Sequence, residues 1–238
     1  MARRPFRSSL VLCWLVGGLA CALSAAQAPA PSQPAPSPHE RWEEEIRAFE
    51  RADAKTPPPK GGILFVGSSS IRLWKTLAQD FPGLPVINRG FGGSQIADAV
   101  HFAPRIVIPY APRLIVMYSG GNDINAGKSP EQVAADFRRF VETVHRALPE
   151  TRIAYISIAG NPARWAQVDR VKRANALIEE YTKTDPRLEF IDVFSRMLGP
   201  DGLPRPEIFS QDRLHMNDVG YRLWTEIVRP YLKTPSGN

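Results

Sequence analysis

Cysteine is almost missing from this 238-residue chain: Cys13 and Cys21 are the only two, both near the N-terminus. Beyond residue 21 there is no partner for a disulfide and no thiol nucleophile. Histidine is scarce as well, with four residues. They form neither a His-Glu-x-x-His motif nor a cluster with metal-ligand spacing, which argues against a zinc hydrolase centre. No Walker A pattern occurs. Gly90-x-Gly92 begins like a dinucleotide fingerprint, but Gln95 stands where the third glycine is required. No cofactor is therefore expected, and no internal repeat is visible.

Long apolar runs are equally sparse. The main one, Leu10 to Leu23, follows Arg3, Arg4 and Arg7 and precedes Ala25-Ala26-Gln27-Ala28. A basic start, a short apolar stretch and a small-residue cleavage zone read as a secretory signal peptide over 1–28. The stretch is short for a transmembrane helix. The expected product is secreted or periplasmic, with no stable membrane span after cleavage. Gly18-Leu19-Ala20-Cys21 is a poor lipobox, so lipid anchoring is not expected. Three of the 30 basic residues and none of the 24 acidic ones lie in this segment, so its removal lowers the net charge from +6 to +3. No basic stripe interleaved with aromatics remains, which leaves nucleic acid an unsuitable partner.

A Pro-rich spacer, 29–38, cannot form a core. Over 39–55, Trp42, Ile46 and Phe49 fall at helical spacing among charged residues, predicting an amphipathic helix on the surface of a single domain, 39–238. Five short apolar runs read as strands: Gly62–Val66, Pro85–Asn88, Arg113–Tyr118, Arg152–Ile158 and Leu188–Ile191. Helical patterns alternate with them at Ile71–Ala78, Gln95–Phe102, Pro130–Ala147, Arg164–Tyr181 and Asp218–Tyr231, the last with Val219, Leu223 and Ile227 toward the core. Strands apolar throughout, alternating with helices, predict a three-layer α/β/α doubly wound parallel sheet. Ligands of such sheets bind beyond the carboxyl ends of the strands.

Chemistry-bearing residues collect at those ends. Gly67-Ser68-Ser69-Ser70 follows the first strand and offers three hydroxyls, each of which could also be a helix cap. Asn88 to Gly93 follows the second strand, and its glycines allow close backbone approach. Gly120-Gly121-Asn122-Asp123 follows the third. An uncharged amide such as that of Asn122 suits an oxyanion hole, although Asn-Asp after Gly-Gly is also ordinary turn chemistry. Asp212 and His215 stand before the last helix, three residues apart, where the carboxylate can orient the imidazole as a general base. His39 in the linker region, His101 at a helix end and His145 on a long helix read as surface or packing residues.

The order of these four blocks resembles the SGNH (GDSL-type) hydrolase superfamily over nearly all of the chain after the linker. Gly67 to Trp74 (GSSSIRLW) is most similar to the platelet-activating-factor acetylhydrolase-like esterase branch. The resemblance implies a flavodoxin-like fold and a serine esterase acting through an acyl-enzyme, with short acyl groups. It identifies Ser69 as the nucleophile, Ser68 standing where the family carries aspartate. It assigns the oxyanion hole to the N–H groups of Ser69 and Gly93 and the Asn122 amide, and the triad to Ser69, Asp212 and His215. The expected partner is a small-molecule, lipid or glycan ester; oligomeric state is left open. Two rivals are a flavodoxin-like phosphate or flavin binder and a catalytically inactive carbohydrate-binding relative.

Overall fold

The computed structural model describes residues 37–233. The signal peptide and nearly all of the Pro-rich spacer lie outside these residues.

Five strands, β1 (Ile63–Gly67), β2 (Val86–Gly90), β3 (Leu114–Tyr118), β4 (Arg152–Ile156) and β5 (Leu188–Ile191), pair in the order β2-β1-β3-β4-β5. All four pairings are parallel. Alternation along each strand divides the core in two. Leu64 and Val66 of β1 join Ile115 and Met117 of β3 on one face, where α4 (Ile96–Ile106), α6 (Pro130–Ala147) and α7 (Val168–Thr182) cover them. Ile63 and Phe65 join Leu114 and Val116 on the other, beneath α8 (Asp218–Val228). The fold is a doubly wound α/β/α sandwich. Because the chain runs from β1 outward to β2 and then back past β1 to β3, strand order reverses between β1 and β3, and the connections leaving those strands part to form a crevice.

Several elements differ from their sequence patterns for identifiable reasons. The helix expected over 71–78 is two single turns, α2 (Ser69–Arg72) and α3 (Leu77–Asp80). Between them Trp74 is fully buried against Phe65, Phe81, Tyr221 and Trp224, and this packing outweighs helix continuation. The helix expected from Arg164 begins as a 3₁₀ segment, Pro162–Gln167, kinked at Arg164, before α7. In α8 the buried face is Gly220, Tyr221, Trp224, Thr225 and Val228, whereas Val219 is 40% exposed. Of the expected stripe, Leu223 and Ile227 are half-buried and pack against this core beside the aromatic pair, and only Val219 turns outward.

Residues 43–55 form α1, preceded by a 3₁₀ turn at Glu40–Trp42. Ion pairs fasten this helix to the β2–α4 region: Asp53 to Arg89 at 2.5 Å, and Glu43 and Glu50 to Arg105 at 2.8 and 2.7 Å. His39 is not a free linker residue. Its ring bonds Asp98 at 2.7 Å and stacks on His101 at 4.1 Å. Among the described residues no helix is long and apolar enough to cross a membrane.

Candidate active site

Ser69 is positioned by a forced backbone. Gly67, the last residue of β1, has φ +140°, and a Cβ there would lie 1.8 Å from the Tyr118 carbonyl oxygen of β3. Only glycine fits so close an approach. The Ser68 N–H then donates to Tyr118 O at 3.0 Å, and Ser68 O accepts from Ile71 and Arg72, closing the turn without a side-chain cap. The turn is thus held by backbone bonds even though Ser68 replaces the aspartate of the resembled motif. Of the three serines, Ser68 and Ser70 are buried, at 6% and 8% exposure, while Ser69 is half-buried at the mouth of the crevice. The helix it opens is a single turn, so local N–H groups act here rather than a long helix dipole.

His215 arrives from the opposite side. Its Nε2 lies 2.8 Å from Ser69 Oγ and its Nδ1 2.6 Å from Asp212 Oδ2. Asp212 Oδ1 accepts from the N–H groups of Leu214 and His215 at 3.0 and 2.9 Å. This tight Asx-type loop places Arg213 in the left-handed region, φ +57°, which costs a non-glycine residue roughly 1 kcal/mol. Burial raises the Asp212 carboxyl, but the His215 N–H and ring and the Leu214 N–H outweigh it and bring its pKa down to about 2. The carboxylate therefore stays charged at neutral pH.

Asn122 lies in α5 (Gly121–Asn125), just after β3. Its Nδ2 donates to Ser94 O at 3.0 Å, and its Oδ1 accepts from Arg164 Nη1 at 3.0 Å. Ser94 in turn donates its hydroxyl to Phe91 O at 2.9 Å and Gly67 O at 3.3 Å, so the β2 loop is tied to the serine turn and to Asn122 at once. Asp123, fully buried, strengthens this tie by accepting from Ile96 N–H at 3.3 Å and Lys128 at 2.9 Å. Burial pushes the Asp123 carboxyl up and Lys128 opposes it.

Gly93, at φ +72°, is exposed between these tethered residues. It does not line the small cavity of about 30 Å³ beside Ser69, whose walls include Ser69, Tyr118, Asn122, Ile158, Arg164 and His215. Gly93 instead borders Trp42 of the N-terminal segment, and the preceding Gly92 N–H donates to Glu45 at 3.3 Å. Asp212 and His215 also border an open cleft of about 710 Å³ with Lys75, Asp218 and Arg222. Among the described residues no group of three His, Cys, Asp or Glu side chains is arranged to hold a metal ion.

The structure thus brings Ser69, Asp212, His215 and Asn122 together and leaves Gly93 at the rim. Sequence reasoning passed over Arg164, Ser94 and Asp123. Ser94 adjoins the Asn88–Gly93 block and Asp123 is the last residue of the Gly120–Asp123 block, but Arg164 meets Asn122 across 42 residues and carries no local signature.

A doubly wound sheet with a serine, a histidine and an aspartate in one hydrogen-bonded line is a hydrolase-type site. The chain belongs to the GDSL-like lipase/acylhydrolase family, whose sequence profile matches residues 65–223. Solved structures share its fold. A Streptococcus pneumonia protein provisionally described as a platelet activating factor superposes with a TM-score of 0.72 at 22% identity, covering 81% of this chain and 94% of its own. A GDSL-like lipase from Bacteroides thetaiotaomicron gives 0.67 at 19% identity, covering 79% and 96%. An acetyl xylan esterase gives 0.62 at 18% identity, covering 72% and 99%. No curated protein matches the sequence.

Proposed function

We propose that this protein is an exported serine esterase that removes short acyl groups from oxygen esters, its single catalytic domain following a signal peptide and Pro-rich spacer. The observation that carries the reading is the unbroken line Ser69 Oγ, His215 Nε2, His215 Nδ1, Asp212 Oδ2, with separations of 2.8 and 2.6 Å at its two hydrogen bonds. His215 takes the Ser69 proton as Oγ attacks the ester carbonyl carbon. The resulting oxyanion is held by the Ser69 N–H and the Asn122 amide; the Gly93 N–H, which the family resemblance implies as a third donor, lies at the rim outside the cavity walls. The tetrahedral intermediate collapses, the alcohol leaves with the proton from His215, and water cleaves the acyl-enzyme by the same steps in reverse. The test is a panel of nitrophenyl esters and acetylated sugars, together with an organophosphonate that labels only an activated serine. Absence of both turnover and a phosphonate adduct on the Ser69 peptide would remove the reading.

The short-acyl preference is supported by the size of the cavity beside Ser69. At about 30 Å³ it is small, and a short acyl group fits it better than a long one. Acetate esters are expected to be cleaved at least about tenfold faster than butyrates, since overpacking by two methylenes costs on the order of 1–3 kcal/mol. Ile158, fully buried in the wall, is the residue to shorten. Ile158→Ala should raise the butyrate-to-acetate ratio of kcat/KM; an unchanged ratio would assign the acyl group elsewhere.

Activity is expected to rise with pH through one ionisation, because the base must be neutral. Asp212, brought down to about 2, adds no second acid limb above about pH 4. A kcat/KM profile with two acid limbs would contradict this charge assignment.

Asn122→Ala is expected to lower kcat by about 10²–10³-fold with KM little changed, as for loss of one oxyanion donor. Asn122→Asp should be no better, because a carboxylate repels the oxyanion. A folded Asn122→Asp protein with near wild-type kcat would instead mark Asn122 as a turn residue.

A further inference from the structure

Asn122 can act as an oxyanion donor only if its amide nitrogen faces the reacting carbonyl, and an asparagine side chain reverses by a simple 180° turn. Its surroundings decide the orientation. Arg164 Nη1 lies 3.0 Å from one end of the amide, and a guanidinium can only donate. Ser94 O lies 3.0 Å from the other end, and a carbonyl can only accept. Reversal would set donor against donor and acceptor against acceptor. The oxygen is therefore held at Arg164, and the nitrogen has one hydrogen on Ser94 and a second with no acceptor among the described residues.

Arg164 is itself built into this place. Pro162 starts its turn, the Asn161 side chain accepts the Arg164 N–H at 3.0 Å, and the backbone kinks at Arg164. The Ala163 N–H donates to Arg213 O at 3.0 Å, joining the turn to the Asp212–His215 loop. Nη1 also donates to Gly121 O at 3.2 Å, whereas Nε and Nη2 have no partner among the described residues. No carboxylate of the described residues lies within ion-pair distance of this half-buried cation. Leaving a guanidinium half-buried and uncompensated costs stability, which makes it a poor choice for a purely structural tie. Beside a site that develops negative charge, the same positive charge is useful in the transition state.

We infer that Arg164 is a positioning residue of the oxyanion hole: it orients the Asn122 amide, and its positive charge acts on the oxyanion through that amide, by polarising it at Oδ1. The inference rests on Asn122 being an oxyanion donor. Arg164 acts through Asn122, so removing it costs less than deleting the donor itself. Arg164→Met is expected to lower kcat about 10–100-fold with KM within a factor of three or so, and Arg164→Lys, which can still donate to Oδ1, to recover a substantial part.

The deciding experiment is a double-mutant cycle on nitrophenyl acetate with Asn122→Ala, Arg164→Met and the pair, each melted to show that it is folded. The expected result is that Arg164→Met costs less than about threefold once Asn122 is alanine. Equal losses in both backgrounds would overturn the inference, as would a rise in KM alone, which would make Arg164 a substrate anchor. If Arg164→Met is unstable, Arg164→Lys and Arg164→Gln give the same comparison. An impaired Asn122→Ala with a fully active Arg164→Met removes this inference alone, whereas a fully active Asn122→Ala removes the oxyanion role beneath it.

Discussion

Ser69→Ala is expected to abolish hydrolysis, lowering kcat by about 10⁵–10⁶-fold, the scale on which loss of a serine nucleophile acts. Ser68→Ala and Ser70→Ala are expected to retain most activity. The three hydroxyls are consecutive, so the contrast tests position rather than composition. Only Ser69 is partly exposed, and only its Oγ meets His215 Nε2. Ser68 serves the turn through its N–H and carbonyl, which alanine keeps. Ser70 contributes its carbonyl to the Tyr221 hydroxyl at 2.9 Å, which alanine also keeps. Steady-state rates on nitrophenyl acetate, with phosphonate labelling read by mass, measure the effect. A dead Ser68→Ala beside an active Ser69→Ala would place the nucleophile one residue earlier and overturn the geometry of the turn.

The Asp212→Asn enzyme should fold yet lose about 10³–10⁴-fold in kcat, for a reason specific to this loop. One oxygen of Asp212 accepts two backbone N–H groups, and the other faces the imidazole. Asparagine has a single oxygen, and the two backbone donors claim it. Its NH₂ group is then presented to His215 Nδ1, which must become the acceptor. The ring proton moves to Nε2, the atom that should accept from Ser69, and the base is lost to the wrong tautomer. Because the loop's backbone bonds survive, the melting temperature should fall by only a few degrees at most. Nitrogen chemical shifts of the ring report the tautomer directly. Wild-type kcat in this variant would mean that Asp212, whose side chain is 49% exposed, leaves orientation of the ring to solvent.

Where function depends on neighbours in sequence, it was legible. Asp212 and His215 are three residues apart in a tight loop, so their pairing needs no tertiary information. Ser129-Pro130 starting α6 and the apolar strand runs are local in the same sense: a cap bonds three residues ahead, and a strand's burial shows in its composition. Even so, strand ends shifted. The run beginning at Arg152 reads as continuing to Ile158, but β4 ends at Ile156: the Ser157 N–H still donates to Ile191 O of β5 at 2.9 Å, while its hydroxyl accepts from the Val193 and Phe194 N–H groups of the turn after β5.

Alternating strand and helix patterns, the glycine turns at strand ends and the Asp212–His215 pair were determined by the sequence alone, since each is set by side chains within a few residues of one another. Tertiary structure decided which serine is exposed, which face of α8 is buried, and which way the Asn122 amide points. Each of these depends on partners 28 to 151 residues distant: Ser94 for the Asn122 nitrogen, Arg164 for its oxygen, His215 for the Ser69 hydroxyl, and Ser70 for the Tyr221 hydroxyl on the buried face of α8. Local periodicity carries no record of such partners. They meet because parallel pairing of β1 with β3 brings two strand ends to one crevice, and the packing of α8 and its preceding loop closes it from the other side.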